Sequence, residues 1–529
     1  MDRVSVFVRR RRIKNLEQWT LYAILTEAFF LAFSETVAAA AIMIGVITYF
    51  LRLQIDSRYK MRSLPFDVPV TIFLLIGAMS ILFSSARSFD LIYNYCMLVG
   101  IYALTYLIVG QSVRTTAQVR LIAQALGASA ILVVLWGFFQ FIFGIDAADV
   151  KWTDPEAFPE LKKRVFSTLE NPNVLAGYLD VFICLALGFL AKVQSRSHRL
   201  ILLGAIILFV ACLAMTYSRG AFLTLVAVFA VYGFLKDWRI VIVFALVTGL
   251  IAYSDSTFMN RILSSFTMSD SSESVRVGIW VSTSSMIADH PFTGIGWGAY
   301  QYVYPQYNYY IADPNIIIYH AHNLYLNVAA EIGIVGALAF FWYFFGTMFI
   351  SFGISEHGAE KWFNERLDKI LASSTFLHEL AKIINEKLSD FSNRVMNLFG
   401  RKKRQLKLKK PRGSVVHNEE MNFSEHTRKK FTKIEKIPVG DGEIAIKSVQ
   451  TEVPDDKQEE HDEKSPTTLN DALNIDERNF LDGFKLGIGL AFLSMALNGF
   501  TDHLLFNIPS AMLMWLLGAL SAAINLIKE

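Results

Sequence analysis

Charge is scarce in this chain. Asp, Glu, Lys and Arg make up only 18% of 529 residues, while hydrophobic residues reach 53%. A soluble domain of this size has no use for so many apolar runs of about 18 residues or more. The shortage of charge therefore excludes an ordinary water-soluble enzyme and points to membrane spans. Cysteine is scarcer still, limited to Cys96, Cys184 and Cys212, all inside apolar runs. An odd, buried set excludes a disulfide framework or a thiolate metal centre and leaves packing as its role. The net charge of +3 says little as a total, because the charges gather in a few segments. No internal repeat is visible. The opening stretch Met1 to Lys14, with Arg9-Arg10-Arg11-Arg12, has the charge of a signal-peptide n-region. It lacks a small-residue cleavage site, and the apolar run behind it is too long for an h-region, so it reads as a retained first membrane segment.

What is present is apolar and regular. Runs broken by charged or turn residues give an all-α, polytopic membrane protein of about twelve helices, at 19–33, 36–53, 66–85, 90–110, 118–144, 174–193, 199–216, 220–235, 238–254, 323–352, 483–500 and 505–526. The first two are close enough to be one broken helix. The short segments Arg52 to Arg62, Arg114 to Arg120, Lys192 to Arg199 and Lys236 to Arg239 are basic and fall on one side of this count. The basic N-terminus falls there too, as does Arg401-Lys402-Lys403-Arg404 with Lys409-Lys410. Positive charge collects in cytoplasmic loops, so both termini are expected in the cytoplasm. The segments 145–173, 217–219, 255–322 and 501–504 then face outward.

Three parts follow. Residues 1–352 form a membrane domain with an outer loop at 255–322, and residues 483–529 complete it with two more helices. Between them lies a cytoplasmic insertion, 353–482. Its Trp362 to Leu398 stretch has helical apolar spacing and reads as an amphipathic helix. The basic run follows, suited to anionic lipid headgroups. A polar stretch comes next, with seven acids and two lysines between Thr451 and Lys464, a composition that buries no core and stays largely disordered. Without aromatic interleaving or a nucleic-acid fold, no nucleic acid is expected as a partner.

Against this orientation, three arginines stand on the disfavoured side, in Arg164-Val165-Phe166, Tyr217-Ser218-Arg219-Gly220 and Ser274-Val275-Arg276. One arginine at a helix end usually snorkels to the headgroups. Three together suggest an anion that must be held. The sixth, eighth and tenth helices start on the same face, so their unsatisfied N–H groups and positive dipole ends point there too. Asn171 is a good N-cap for the sixth and Pro172 a good first residue, with Asn173 next; Asn323 stands at the start of the tenth. Guanidinium forks and helix starts suit a phosphate or diphosphate. His322, at the mouth of a helix beside Asn323, is the candidate proton acceptor, and Asp502 with His503 are further candidates for proton transfer. His320-Ala321-His322 alone is weak as a metal pair. Gly294-Ile295-Gly296-Trp297-Gly298 is a tight turn in the wrong context for a dinucleotide fingerprint. Seven tyrosines between Tyr300 and Tyr319 suit a membrane interface or stacking on sugar rings. Glu27, Glu35, Asp180 and Glu331 are charges within spans. Asp180, about two turns or roughly 10 Å inside the sixth helix, is placed to pair with one of the arginines.

These residues together resemble the O-antigen ligase and O-antigen polymerase superfamily. The resemblance rests on Arg164 with Asn171-Pro172-Asn173, Tyr217-Ser218-Arg219-Gly220, Arg276 with Trp280, Pro291 with Gly294-Ile295-Gly296-Trp297-Gly298, and His322-Asn323 with Glu331-Ile332-Gly333 and Gly336. It spans roughly residues 15–352 and resumes in the last two helices. It implies a GT-C-like glycosyltransferase of the bacterial cytoplasmic membrane, active on its outer side. The donor would be a glycan on undecaprenyl diphosphate and the acceptor a glycan, lipid or protein, with no nucleotide sugar, metal or other cofactor. Positions matching Arg219 and Arg276 would hold the diphosphate, with Arg164 beside them. His322 would be essential, with Asn171, Asn173, Asn323, Asp180 and Asp502 in support. A flippase for lipid-linked glycans is the alternative, but it calls for charge in a cavity reaching both faces. The insertion 353–482 departs from the family pattern.

Overall fold

The computed structural model describes residues 3–56, 59–144, 164–264, 271–310, 317–353, 432–439, 443–450 and 469–527. Helices stand at each position where an apolar run predicts one. In chain order they begin with α1 (Arg3–Phe30), α2 (Glu35–Ile55), α3 (Asp67–Phe83), α4 (Phe89–Ser112) and α5 (Thr116–Phe143). Next come α6 (Pro172–Leu190), α7 (Arg196–Ala214), α8 (Arg219–Leu235) and α9 (Arg239–Ser254). Helices α10 (Ser256–Ser264), α11 (Ser271–Asp289) and the single turn α12 (Tyr300–Val303) precede α13 (Leu324–Ser351). The last two are α14 (Leu469–Asn498) and α15 (Ile508–Ile524). Seven are long and apolar enough to cross a membrane: α2, α4, α5, α6, α7, α13 and the Ile475–Asn498 part of α14. Helices α3, α8, α9 and α15 are apolar but shorter.

Local chemistry sets several of these boundaries. Thr115 and Gln118 form a reciprocal capping box at the start of α5, and Gly144 closes it at φ 64°. Ser34 caps α2 after a tight turn, so α1 and α2 are two helices, not one broken one. The basic segments share one end of the bundle. There Arg62 donates to the carbonyl of Gly110 at 2.8 Å, Arg114 lies 4.6 Å over the Tyr59 ring, and Lys192 pairs with Asp482 at 3.0 Å. Helix α6 runs from Pro172 to that end and α14 runs back from it, which puts residues 172 and 498 at the opposite end.

Helices α6 and α14 cross closely because both are bare there. A Cβ at Gly188 would stand 2.2 Å from the Gly487 nitrogen and 2.4 Å from the Gly483 carbonyl oxygen. Gly483 and Gly487 are four apart, the small-xxx-small spacing that lets membrane helices approach. Helix α13 is broken at Gly333, with φ 72° and ψ 171°. The backbone groups exposed by the break are met by the segment after α11. Ile295 and Gly296 donate to the carbonyls of Ala330 and Glu331 at 2.8 and 3.0 Å, and Ile334 donates to Pro291 at 2.8 Å. Ser84, at the end of α3, donates to the Ile295 carbonyl, while Ser80 accepts from the Trp297 N–H at 3.1 Å. Non-helical backbone among apolar helices survives only when its polar groups are met in this way.

The structure departs from the sequence reading in four places. The expected outer loop 255–322 carries α10, α11 and α12, whose serines and other polar residues break the apolar pattern by which the spans were read. Tyr300 and Tyr304 are packed inside it, with the Tyr300 hydroxyl 2.6 Å from that of Thr283, so these two serve the core and not an interface. Cys184 and Cys212 are buried as expected, but Cys96 is exposed. Finally, the segment 353–482 is not structureless throughout. Strands β1 (Thr432–Val439) and β2 (Glu443–Gln450) form an antiparallel pair in which Glu435 is in register with Lys447. Helix α14 also starts at Leu469, well before the expected position 483. The Trp362 to Leu398 stretch, the basic run and Thr451 to Lys464 lie outside the described residues. The chain divides into one unit of residues 1–374 with 473–529 and a second of 375–472.

Adding one methyl group at the crossing tests how tightly it is packed. Gly188→Ala should destabilise the protein by about 1–3 kcal/mol, because backbone and not a flexible side chain stands in the way. Gly204→Ala, on α7 with open space around it, should leave stability unchanged or slightly raised. Thermal midpoints in detergent measure both.

Candidate functional site

At the end of the bundle opposite the basic segments, the turn joining α14 to α15 is gripped from three sides. Each grip comes from the start of a helix. At α6, Asn171 caps the helix by accepting from the Asn173 N–H at 2.8 Å, and the Asn173 amide donates to Asp502 Oδ2 at 3.4 Å. At α13, the Asn323 side chain accepts from the Leu326 N–H at 3.0 Å and donates to the Phe500 carbonyl at 3.0 Å. At α8, Gly220 packs so close to the turn that a Cβ there would meet Thr501 Oγ1 at 2.9 Å. Three helix starts, each with outward N–H groups and a positive dipole end, therefore converge on residues 498–503.

The arginines arrive with these elements. Arg164 Nε donates to the Thr216 carbonyl at 2.7 Å and Nη2 to Asn173 Oδ1 at 2.8 Å. Its segment is pinned further by Val165 N–H on the Met215 carbonyl and by Gln140, which accepts from the backbone of Phe166 and Ser167. Arg219 is the first residue of α8, one position before the glycine that touches Thr501. Arg276 lies one helical turn from Trp280, whose indole donates to the Ala321 carbonyl at 3.1 Å. Residues four apart share a helix face, so the same grip turns Arg276 toward the site, close enough to act on the charges of Asp502 and His320.

His322 sits between these groups. Its Nδ1 is 3.5 Å from Asp502 Oδ1, and its backbone is held at φ 47°, a left-handed conformation costly for a side chain other than Gly. Asp502 also accepts from the His503 N–H at 2.8 Å. Burial would raise the Asp502 carboxyl. The contact with His322 and the charge of Arg276 outweigh it and hold the group well below the usual carboxylate range. Burial, followed by the charges of His322, His503 and Arg276, keeps His320 well below its ordinary value against the opposing pull of Asp502. His503 is pushed down to about 4, mainly by burial. The cluster thus sets an anionic carboxylate beside the neutral imidazoles of His320 and His503 at neutral pH, faced by the Arg276 guanidinium.

The ligand atoms of His320, His322 and Asp502 lie within 4.8 Å of one another, which raises the question of a metal. The donor set fits one poorly. His320 Nδ1 already accepts the His322 backbone N–H at 3.1 Å, so the proton of the neutral ring sits on Nε2 and no lone pair points away. Only His322 and Asp502 remain as ligands, fewer than a closed or catalytic site uses.

Of the residues singled out in the sequence, Arg164, Asn171, Asn173, Arg276, His322, Asn323 and Asp502 meet around this turn, and Arg219 stands one residue before the glycine that packs on it. Asp180 does not. It is fully buried within α6, neither carboxylate oxygen has a hydrogen-bond partner, and the expected pairing with an arginine is not formed. Arg164 instead stays at the rim, engaged by Thr216 and Asn173. Glu27 is also buried, accepting from Thr105 at 2.7 Å, whereas Glu35 is exposed in the first turn of α2. Two contributors escaped the sequence reading, the Thr216 carbonyl and Asn327. The Asn327 side chain accepts from the Ala321 N–H at 2.9 Å and so fixes the turn before His322. A lone Asn four residues after the Asn323 cap, inside an apolar helix, was its only signal.

The histidines make the site sensitive to acid. His320 and His503 are lowered from an ordinary 6.5 in the folded state, so the unfolded chain binds protons first as pH falls. Stability should therefore drop between about pH 6.5 and 4. A His503→Gln variant should show a flatter fall in thermal midpoint across that window, read by melting in detergent buffers of graded pH.

A comparison with curated proteins gives no match. Residues 203–341 match the family model described as O-Antigen ligase, Wzy_C. The matched stretch holds Arg219, Arg276, His322 and Asn323, whereas Arg164, Asn171, Asn173 and Asp502 reach the same turn from outside it. The likeness to the O-antigen ligase family thus covers residues 203–341, where the α8 start, Arg276 and the turn before α13 lie.

Proposed function

We propose that this protein transfers a glycan from an undecaprenyl-diphosphate carrier to an acceptor at the outer face of the bacterial cytoplasmic membrane. In this reading the protein crosses the membrane about twelve times, with both termini and the basic end in the cytoplasm. The observation that carries it is the convergence of three helix starts on the turn that holds Asp502, with Arg276 acting on the His322 and Asp502 pair, Arg164 bonded to Asn173, and Arg219 one residue from the glycine that packs on Thr501. Helix starts and guanidinium groups together select an anion with several oxygens, and a diphosphate has them.

The chemistry follows from the arrangement. Arg219, Arg276 and Arg164 hold the diphosphate and stabilise the charge that develops as the glycosidic C–O bond breaks. Fixed cations near low dielectric act without having to reorganise at that moment. Asp502 faces His322 Nδ1, which leaves Nε2 to take the proton from the acceptor hydroxyl as its oxygen attacks the anomeric carbon. The lipid diphosphate leaves from the opposite side, so a single displacement inverts the anomeric centre. No metal or other cofactor enters this scheme. The acceptor is a lipid-anchored glycan, another lipid-linked glycan or a protein hydroxyl.

Incubating the purified protein with undecaprenyl-diphosphate-linked oligosaccharide and candidate acceptors tests the reading. A product of one added glycan marks ligation and a ladder marks polymerisation. Arg219→Ala, Arg276→Ala and His322→Ala should each cut transfer by roughly two to four orders of magnitude while the protein still inserts and folds. Transfer at the normal rate in all three variants would defeat the assignment.

A further inference from the structure

The reaction uses neither His320 nor His503, and of the two His320 is the more heavily engaged through its side chain. Its Nδ1 accepts the backbone N–H of His322, two residues on, at 3.1 Å. Its ring lies 4.2 Å from the His322 ring, 4.6 Å from Phe506 and 5.8 Å from His503, measured between centroids. It is thus clamped between the turn it belongs to and the segment just after Asp502. The residue it bonds, His322, has a backbone at φ 47°, which a non-glycine residue holds only under constraint.

We propose that His320 is a positioning residue for His322: its Nδ1 locks the His322 backbone in the left-handed conformation that sets the imidazole against Asp502. This rests on the reading of His322 as the proton acceptor. The device is an Asx turn built with histidine. Asn and Asp stabilise such turns by accepting, through a side-chain atom on Cγ, the N–H two residues later. In histidine Nδ1 is likewise attached to Cγ, so it reaches the same N–H. The aromatic ring adds what Asn lacks, a flat surface packed against Phe506 that ties the turn to the far side of the site. Trp280 on the Ala321 carbonyl and Asn327 on the Ala321 N–H hold the intervening residue, so His320 supplies the missing third restraint.

The geometry gives a discriminating pair of variants. Asn places its Oδ1 where Nδ1 stands, while Gln carries its amide one bond further out, near the Nε2 position. His320→Ala and His320→Gln should lower kcat about tenfold, the size of one lost hydrogen bond, with KM for the lipid-linked donor within about twofold. His320→Asn should recover most of the rate. Thermal midpoints of all three, in detergent, separate positioning from folding, and the kcat comparison is made between variants of matched midpoint. His320→Ala at the normal rate, or Asn no better than Gln, overturns the proposal. His322→Ala is run beside them: transfer persisting there would sink the reading of His322 itself. Loss there with all His320 variants at the normal rate would sink only the positioning role.

Discussion

The end of the bundle away from the basic segments depends on one short turn, residues 498–503, being held from three directions at once. Asn173 reaches it from α6, Asn323 from α13, and the bare backbone at Gly220 allows α8 to close against Thr501. Each contact uses a group that a helix start already needs, either a capping amide or a residue without a Cβ. The positive ends of three helices are thereby focused on one place. A carboxylate at the centre would seem to oppose binding an anion. Asp502 is instead the counterweight that lets imidazole and guanidinium groups crowd together without mutual repulsion, and its depressed pKa records that balance.

The scaffold beneath is built to keep this rim fixed. Glycine brings α6 and α14 into backbone contact, which sets the distance between Asn173 and the turn. The break in α13 gives its first turns a direction of their own, and the segment Pro291 to Trp297 satisfies the exposed groups on one side while the end of α3 supports it on the other. That segment follows α11 directly, so the placement of Arg276 and the course of α13 are mechanically linked. Irregular backbone is costly among apolar helices, and here it is concentrated where it shapes the site.

Much of this was legible in the sequence, for physical reasons that differ by residue. Apolar runs marked the helices because burial in a membrane leaves no other composition possible. Asn171-Pro172 and Asn323 marked helix starts because capping is local chemistry. Arg164, Arg219 and Arg276 stood out because cations there run against the charge distribution expected of the loops, and His322 because it stands at the mouth of a helix beside Asn323. The failures share a cause as well. The fate of Asp180 depends on which way α6 faces, and no local pattern reveals that. His320 stood out only as half of a weak metal pair, since spacing cannot show that its Nδ1 turns back onto its own chain. Helix α11 was hidden by serines that a helix tolerates, and the strand pair at 432–439 and 443–450 by the acidic tract that follows it.

The partners of the central turn are also far apart along the chain. Asn173 and Asp502 are separated by 329 positions, and Asn323 and Phe500 by 177. Residues 353–482 fall between them in sequence, and closing so large a loop costs little more than closing a shorter one, because the entropy grows only logarithmically with length. During synthesis the arginines and His322 enter the membrane long before Asp502 is made. A nascent chain therefore carries the arginines of this cluster before the acid that balances Arg276, and the three grips on residues 498–503 close only when α14 and α15 have come into place.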